Sequence, residues 1–234
     1  MISLTEFFLG NFYFFGVILI IPIWLLMFNS RKESHREMLL MGVIFGLGGL
    51  VIGKYYAIVD YWNPPYVFGS NINIEDFLYG FILGGIISEL YEFLLNKSNK
   101  KIKKHPITNK YIFILASLFS TILCFYFLVD IFRFNSIIAH IIPPLLIGTI
   151  ITVFRKDLTN STVMSGIITT IFVFIWFLII RMIWGDIFST YWYMKNLSGI
   201  TFFEIPIEEL IFAFSLGFGG SCFYEFIYNL KIKD

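Results

Sequence analysis

The sequence predicts an all-α integral membrane protein with seven transmembrane helices, arranged as two parallel three-span repeats joined by one connecting span. Of its 234 residues, 58% are hydrophobic and only 14% are charged, with a mean hydropathy of +0.80. A water-soluble domain does not have this balance, because its surface needs more charge. Apolar runs of membrane-spanning length and a duplicated acidic motif predict the number and grouping of the spans.

Seven apolar runs are long enough to cross a membrane as helices. A helix rises about 1.5 Å per residue, so roughly 20 residues cross the hydrocarbon layer. The runs are continuous, whereas membrane strands alternate in segments of roughly 10 residues, so helices are favoured. The predicted spans cover approximately residues 7–28, 38–59, 74–96, 111–129, 136–154, 163–184 and 205–229.

Basic residues predict a plasma-membrane protein with its N-terminus outside and its C-terminus in the cytoplasm. Thirteen of the 17 Lys and Arg residues lie on one side of the seven spans, and positive residues accumulate on the cytoplasmic side. The lysine-rich stretch 97–110 marks this side and lies where anionic membrane lipids can contact it. The first run lacks a basic flank and a cleavage site, which predicts a retained span. The net charge of +1 predicts no nucleic-acid partner.

An acidic motif occurs twice, 133 positions apart, in predicted spans 3 and 7. Residues 74–81 read IEDFLYGF, residues 207–214 read IEELIFAF, and each copy leads to a Tyr-Glu-Phe triplet. Apolar residues vary freely in a membrane helix, but an ionisable residue there must be paired, hydrated or used. The two copies therefore indicate a functional site within an internal repeat.

The duplication extends over three spans. Arg31 and Arg155 each follow a span of the same direction, and Gly42 and Gly166 stand eleven positions after them. We therefore predict a single membrane domain over 1–234, with repeat 1 over about 1–97, a linker span over about 111–129 and repeat 2 over about 136–230. Because both copies enter and leave on the same sides, an axis along the membrane normal is expected to relate them.

Four acids at the outer helix ends are the candidate catalytic residues: Glu75, Asp76, Glu208 and Glu209. Pro206 before the second pair suits a first helical turn, and positive helix ends attract carboxylates. Neighbours on a helix point about 100° apart, so a carboxyl pair is predicted between Glu75 and Glu208, within about 10 Å of each other. The alternative is that all four acids cap helices in the headgroup region.

Glu92 and Glu225 lie about 25 Å further along their helices, near the predicted cytoplasmic interface. A structural role in which they neutralise lysines stays open beside a functional one. The glycines of predicted span 2 and the pair Gly80 and Gly84 have the spacing of closely packed membrane helices. Spans 3 and 7 are expected to run without a break.

Neither a metal nor another cofactor is predicted. Cys124 and Cys222 are isolated, and the sequence has no CxxC or HExxH motif and no glycine-rich nucleotide loop. Span 7 has no lysine that could hold retinal.

The second copy of the acidic motif resembles a known family. Residues 206–212, PIEELIF, follow a Tyr191-Trp192 pair and are similar to the PxEE-x-x-F motif of the membrane-embedded lycopene cyclases. Members of that family are built either as two three-span subunits or as one fused chain of two such units. The resemblance therefore covers essentially the whole sequence. The first copy departs from the motif, because Asn73 stands where the second copy has Pro206, although Tyr61-Trp62 precedes it.

The resemblance implies an isomerase that cyclises the end group of a linear carotenoid, a hydrophobic polyene, without net redox change. It implies that Glu75 and Glu208 act as acid and base and that Asp76 and Glu209 support them. The ring-closing cation is stabilised by π-faces, for which the candidate substrate-binding residues are Trp62, Trp192, Phe212 and Phe214.

Two alternatives come from other classes of protein. Small carriers are also built from three-span repeats joined by one span, and symmetric acids can bind a cation or couple to protons. A noncatalytic lipid-binding membrane protein is the other alternative.

Overall fold

A computed structural model describes residues 4–68, 73–101 and 110–233. Seven helices in it are long and apolar enough to cross a membrane. The predicted class, an α-helical multi-pass membrane protein, is therefore confirmed. The topology of the repeats about an axis and the orientation in the membrane stay predictions.

The observed spans lie close to the predicted ones. Span 1 begins later than predicted, because a separate helix, Leu4–Gly10, precedes it and the chain turns at Asn11. Spans 2 and 6 begin earlier, each with a 3-10 turn. The seven spans run Phe12–Ser30, Lys32–Asp60, Ile74–Leu94, Tyr111–Ile131, Ser136–Phe154, Lys156–Trp184 and Ile207–Tyr228.

Several spans depart from a regular α-helix. Span 2 contains a π-turn at Gly53–Ala57, and span 4 ends in another at Tyr126–Ile131. Span 7 consists of two helices, Ile207–Gly220 and Phe223–Tyr228. The expectation of an unbroken span 7 is therefore wrong, and the break directly follows two glycines, which are poor helix formers. Span 3 is continuous.

Short elements connect the spans. Strand β1 (Ser98–Lys101) pairs antiparallel with β4 (Leu230–Lys233), and β2 (Thr201–Phe202) pairs with β3 (Ile205–Pro206). The loop after span 6 contains the helix Ile187–Tyr191 and the 3-10 turn Met194–Asn196.

The chain forms two compact units. The first contains Met1–Ile86 and Val173–Ile207, and the second contains Ile87–Phe172 and Glu208–Asp234. Each draws residues from both predicted repeats. Ile20 and Phe188 are among the fully buried residues of the first unit, and Phe125 and Leu158 are among those of the second. The side chains of span 4 are nearly all intermediate or exposed, as expected of a lipid-facing connector.

Equivalent positions of the two predicted repeats make equivalent contacts. A Cβ added to Gly84 of span 3 would meet the Met41 carbonyl of span 2 at 2.8 Å, and one added to Gly217 of span 7 would meet the Ser165 carbonyl of span 6 at 2.5 Å. Gly217 lies 133 positions after Gly84, and Ser165 lies 124 positions after Met41. The glycines predicted to allow close packing therefore do so at matched places in both units.

Gly42 and Gly166 form a second equivalent pair of contacts. A Cβ on Gly42 would lie 2.8 Å from the Phe81 carbonyl, and one on Gly166 would lie 2.7 Å from the Phe214 ring. The two phenylalanines again stand 133 positions apart. The internal repeat is thus visible in packing as well as in sequence.

One contact is reversed between the repeats, and this reversal predicts a mutational rescue. In the first copy the Trp24 indole packs on Gly85, whereas in the second copy Gly148 packs on the Phe218 ring. Trp24→Gly is expected to destabilise the protein because it leaves a cavity. Adding Gly85→Phe rebuilds the arrangement of the second copy and should recover stability, with a coupling energy of about 1 kcal/mol or more.

Thermal unfolding of the single and double variants in detergent checks this rescue. Gly85→Phe alone should destabilise, because its ring clashes with Trp24. Purely additive effects of the two substitutions would contradict the equivalence of the contacts.

Candidate functional site

Glu75 and Asp76 stand in the first turn of span 3, and both are buried, with exposed fractions of 0% and 5%. Asn73 leads into this turn with a φ of 47°, and its carbonyl accepts the N–H groups of Asp76 and Phe77. Asn tolerates this left-handed conformation, whereas proline is fixed near −65°. The departure of the first copy from the PxEE pattern therefore has a conformational cause.

Three donors from separate segments hold the Asp76 carboxyl group. The Tyr13 hydroxyl of span 1 donates to Oδ1 at 2.7 Å, and the Tyr66 hydroxyl of the loop before span 3 donates to Oδ2 at 3.1 Å. The Asn73 side-chain amide also donates to Oδ2 at 3.1 Å. These bonds fix the orientation of the carboxyl group within the first unit.

Two glycines of span 2 make room for Asp76. A Cβ added to Gly53 would lie 2.5 Å from Asp76 Oδ2, and one added to Gly49 would lie 2.6 Å from the Asp76 carbonyl oxygen. Any larger residue at these positions would displace the acid or the helix. The glycine spacing noted in the sequence therefore serves the site as well as helix packing.

Glu75 is held differently from its neighbour. Its Oε1 accepts the backbone N–H groups of Val67 at 2.7 Å and Phe68 at 3.1 Å. Its Oε2 is buried and makes no hydrogen bond to any residue that the structure describes. One carboxyl oxygen is thus anchored, and the other is available to a proton or a bound molecule.

Tyr66 is the most exposed of the groups that bind Asp76, and it lies outside the spans. Burial raises the pKa of its phenol, and the nearby charges of Asp76 and, to a lesser extent, Glu75 raise it further. The phenol therefore stays protonated at neutral pH and acts as a donor.

Aromatic rings surround the Asp76 end of the first unit. Tyr13 lies edge-to-face with Trp62 at 4.8 Å between ring centroids, and Trp62 lies 5.1 Å from Trp192. The two Tyr-Trp pairs that precede the two acidic motifs meet in an antiparallel bridge, in which Asn63 N–H donates to Tyr191 and Tyr193 N–H donates to the carbonyl of Tyr61. Both predicted substrate-binding tryptophans therefore lie in one aromatic cluster.

The acids of the second copy begin the helix Ile207–Gly220. Glu209 is buried and Glu208 is partly exposed. Phe212 packs edge-to-face on His140, 5.4 Å away, and the Phe214 ring covers Gly166. The coupling of Glu208 with Glu75 and the roles of these four residues stay predictions.

A hairpin leads into this helix. Strands β2 and β3 are joined by Phe203 and Glu204, which both have positive φ values, 51° and 62°. Arg181 of span 6 holds this tight turn, because its guanidinium donates to the Phe203 carbonyl at 2.5 Å and pairs with the Glu204 carboxylate.

Glu92 and Glu225, which are equivalent in the two copies, approach each other in the second unit. The side-chain amide of Asn99 donates to Glu225 Oε1 at 2.7 Å and to Glu92 Oε2 at 3.3 Å, so the two oxygens lie within about 6 Å. Both acids are buried, Glu92 with 3% exposure and Glu225 with 0%. The sequence left a structural role, in which they neutralise lysines, open beside a functional one, and it did not predict this amide bridge.

Sequence reasoning missed the groups that hold the acids. Tyr13 lies 63 positions from Asp76, and nothing distinguishes it from the other aromatics of span 1. Tyr66 directly follows Pro64-Pro65 and precedes the acidic motif, so a sequence signal for it existed.

A sequence model of the family described as lycopene cyclase matches residues 7–94 and 135–227. The chain belongs to the lycopene cyclase family. Its two matched segments cover the two predicted repeats and leave out the linker span, which confirms the resemblance and the internal duplication. No curated protein and no solved structure matches the chain.

Membership in the lycopene cyclase family supports a carotenoid cyclase-like function for this multi-pass membrane protein. It also suggests that the substrate is a hydrophobic polyene in the membrane.

Proposed function

We propose that this chain closes the end group of a linear carotenoid such as lycopene into a six-membered ring by proton transfer from and to carboxyl groups. The observation that carries the proposal is the family match over both halves of the chain. The acids at the starts of spans 3 and 7, of which Glu75, Asp76 and Glu209 are buried, support it.

The reaction needs an acid, a base and no net redox change. A carboxyl O–H gives its proton to a carbon of the terminal alkene, which leaves a cation at the other carbon. An internal double bond attacks that cation and closes the ring, and a base removes a proton to form the ring double bond. One proton enters and one leaves, so substrate and product are isomers.

Glu75 and Glu208 are proposed as the acid and base, with Asp76 and Glu209 in support. The buried Glu75 Oε2, which has no partner among the described residues, suits direct proton transfer. Asp76 is occupied by three donors, which suits a supporting role.

Aromatic side chains are proposed to stabilise the developing cation. Trp62 and Trp192 lie in the cluster that contains Tyr13, which itself binds Asp76. Phe212 and Phe214 follow the second acidic pair within two helical turns. An aromatic ring stabilises a cation that lies over its face, because the face carries partial negative charge.

Transport has weaker support. The break in span 7 is a feature that carriers use at their binding sites, but span 3 is continuous at the equivalent position. The family match favours cyclisation, which requires neither a sealed compartment nor a gradient.

Expression of the chain in lycopene-accumulating cells tests the proposal. Chromatography of the pigments should show cyclic carotenes that cells with an empty vector lack. Lycopene alone, with the protein present and folded in the membrane, would overturn cyclisation and favour transport or lipid binding.

A further inference from the structure

This inference rests on the proposed cyclisation. Each turnover of that reaction leaves the acid without its proton and the base with an extra one. The acid has lost a proton to the alkene, and the base has gained one from the ring. The acid must be protonated again before the next ring can close. A buried acid needs a route by which protons reach it.

The loop before span 3 contacts both acids of the first copy through three consecutive residues. Tyr66 donates its hydroxyl proton to Asp76, while Val67 and Phe68 donate their backbone N–H groups to Glu75. These residues therefore link both carboxyl groups to the part of the loop that the structure describes.

Among these three residues, Tyr66 is the one that can carry a proton. The backbone N–H groups of the next two residues are fixed donors, whereas a phenol can release a proton while it accepts another at the same oxygen. Tyr66 is also partly exposed, whereas Asp76 and Tyr13 are buried. Both phenols thus donate to the buried Asp76 carboxyl group, and of the two only Tyr66 is a partly exposed residue.

We propose that Tyr66 is the proton entrance of the site. Its hydroxyl accepts a proton from water and releases its own to Asp76, and Asp76 passes a proton to the neighbouring Glu75, so that Glu75 is protonated again after each turnover. The proton that the base has taken leaves to water, and the sum over a cycle is zero. Asp76 thereby acts as a relay, so its supporting role is to pass protons from Tyr66 to Glu75.

A structural alternative assigns Tyr66 only the task of orienting Asp76. Tyr13 does the same from the other side, with a shorter hydrogen bond to the same carboxyl group. If orientation were the only task, Tyr66→Phe and Tyr13→Phe would act alike. The relay predicts that they differ, because Tyr13 is buried whereas Tyr66 is partly exposed.

The experiment follows ring formation from lycopene in detergent with the purified full-length protein, from the first turnover onward. The wild type should give a nearly linear progress curve. Tyr66→Phe should form about one ring per protein molecule at close to the wild-type rate and then slow at least about tenfold, since a proton-transfer group contributes about 100-fold or more. Tyr13→Phe should show no such burst.

Two further variants complete the design. Tyr66→His should restore repeated turnover, because imidazole also accepts and releases protons near neutral pH. Tyr193→Phe, which removes a hydroxyl bonded to the Ile58 carbonyl in the same unit, should behave as the wild type. A Tyr66→Phe curve without a burst, or with a steady rate within about twofold of the wild type, would overturn the relay.

A measurement on the wild type alone covers the case in which Tyr66→Phe does not fold. In D₂O, rings formed from the first turnover onward should contain deuterium, because the acid exchanges its proton with water before each ring closes. Unlabelled rings would overturn the proton entrance while leaving cyclisation intact. A wild type that forms no ring at all would instead contradict the proposed function.

Discussion

Glu75→Gln is expected to abolish ring formation, lowering it by about 100-fold or more, which is the usual contribution of a general acid or base. Glutamine has nearly the shape of glutamate, and its Oε1 can still accept the Val67 and Phe68 N–H groups that anchor Glu75. Only Oε2 changes, from an oxygen that can carry a transferable proton to an amide nitrogen. Chromatography of pigments from lycopene-accumulating cells measures the effect, and Glu208→Gln should give the same result.

Glu33→Gln is the matched control. It makes the same chemical change at an acid whose side chain is 63% exposed and which pairs with Arg31 at 3.4 Å, in the 3-10 turn that begins span 2. Its pigments should equal those of the wild type at equal protein level. Cyclic carotenes from Glu75→Gln at more than about a third of the wild-type amount would remove Glu75 from the proton transfer.

The fold could be predicted because the position of a membrane helix depends mainly on the length and hydropathy of an apolar run. Length and hydropathy predict the spans, and repeated Arg and Gly positions predict their pairing. Two features of the helices were not predicted, and both depend on local backbone geometry. Hydropathy does not detect the turn at Asn11, which separates Leu4–Gly10 from span 1, and it does not detect the break that follows Gly219 and Gly220 in span 7.

The candidate site could be predicted only in part for a related reason. An acid in a membrane span is costly, so the duplicated carboxyl groups were conspicuous. The residues that bind these acids are of common types, and only their positions in the folded chain distinguish them. Tyr13 is one of several aromatics in span 1, and Asn99 lies in a polar strand, yet each donates to a buried acid.

Gly80→Ala is expected to lower the thermal stability of the protein most among single methyl additions in the first unit. The new Cβ would lie 2.5 Å from the Phe45 carbonyl oxygen and 3.0 Å from the Gly46 Cα, both backbone atoms of span 2. Backbone cannot swing aside like a side chain, so spans 2 and 3 must separate, at a cost of about 1–3 kcal/mol. Gly48→Ala adds the same methyl group in span 2 where nothing lies within 4 Å, and it should keep or slightly raise stability because alanine favours helix. Thermal unfolding of both variants in detergent compares them directly. Equal unfolding temperatures for the two would mean that the close approach of spans 2 and 3, which also brings Gly53 against Asp76, does not stabilise the unit.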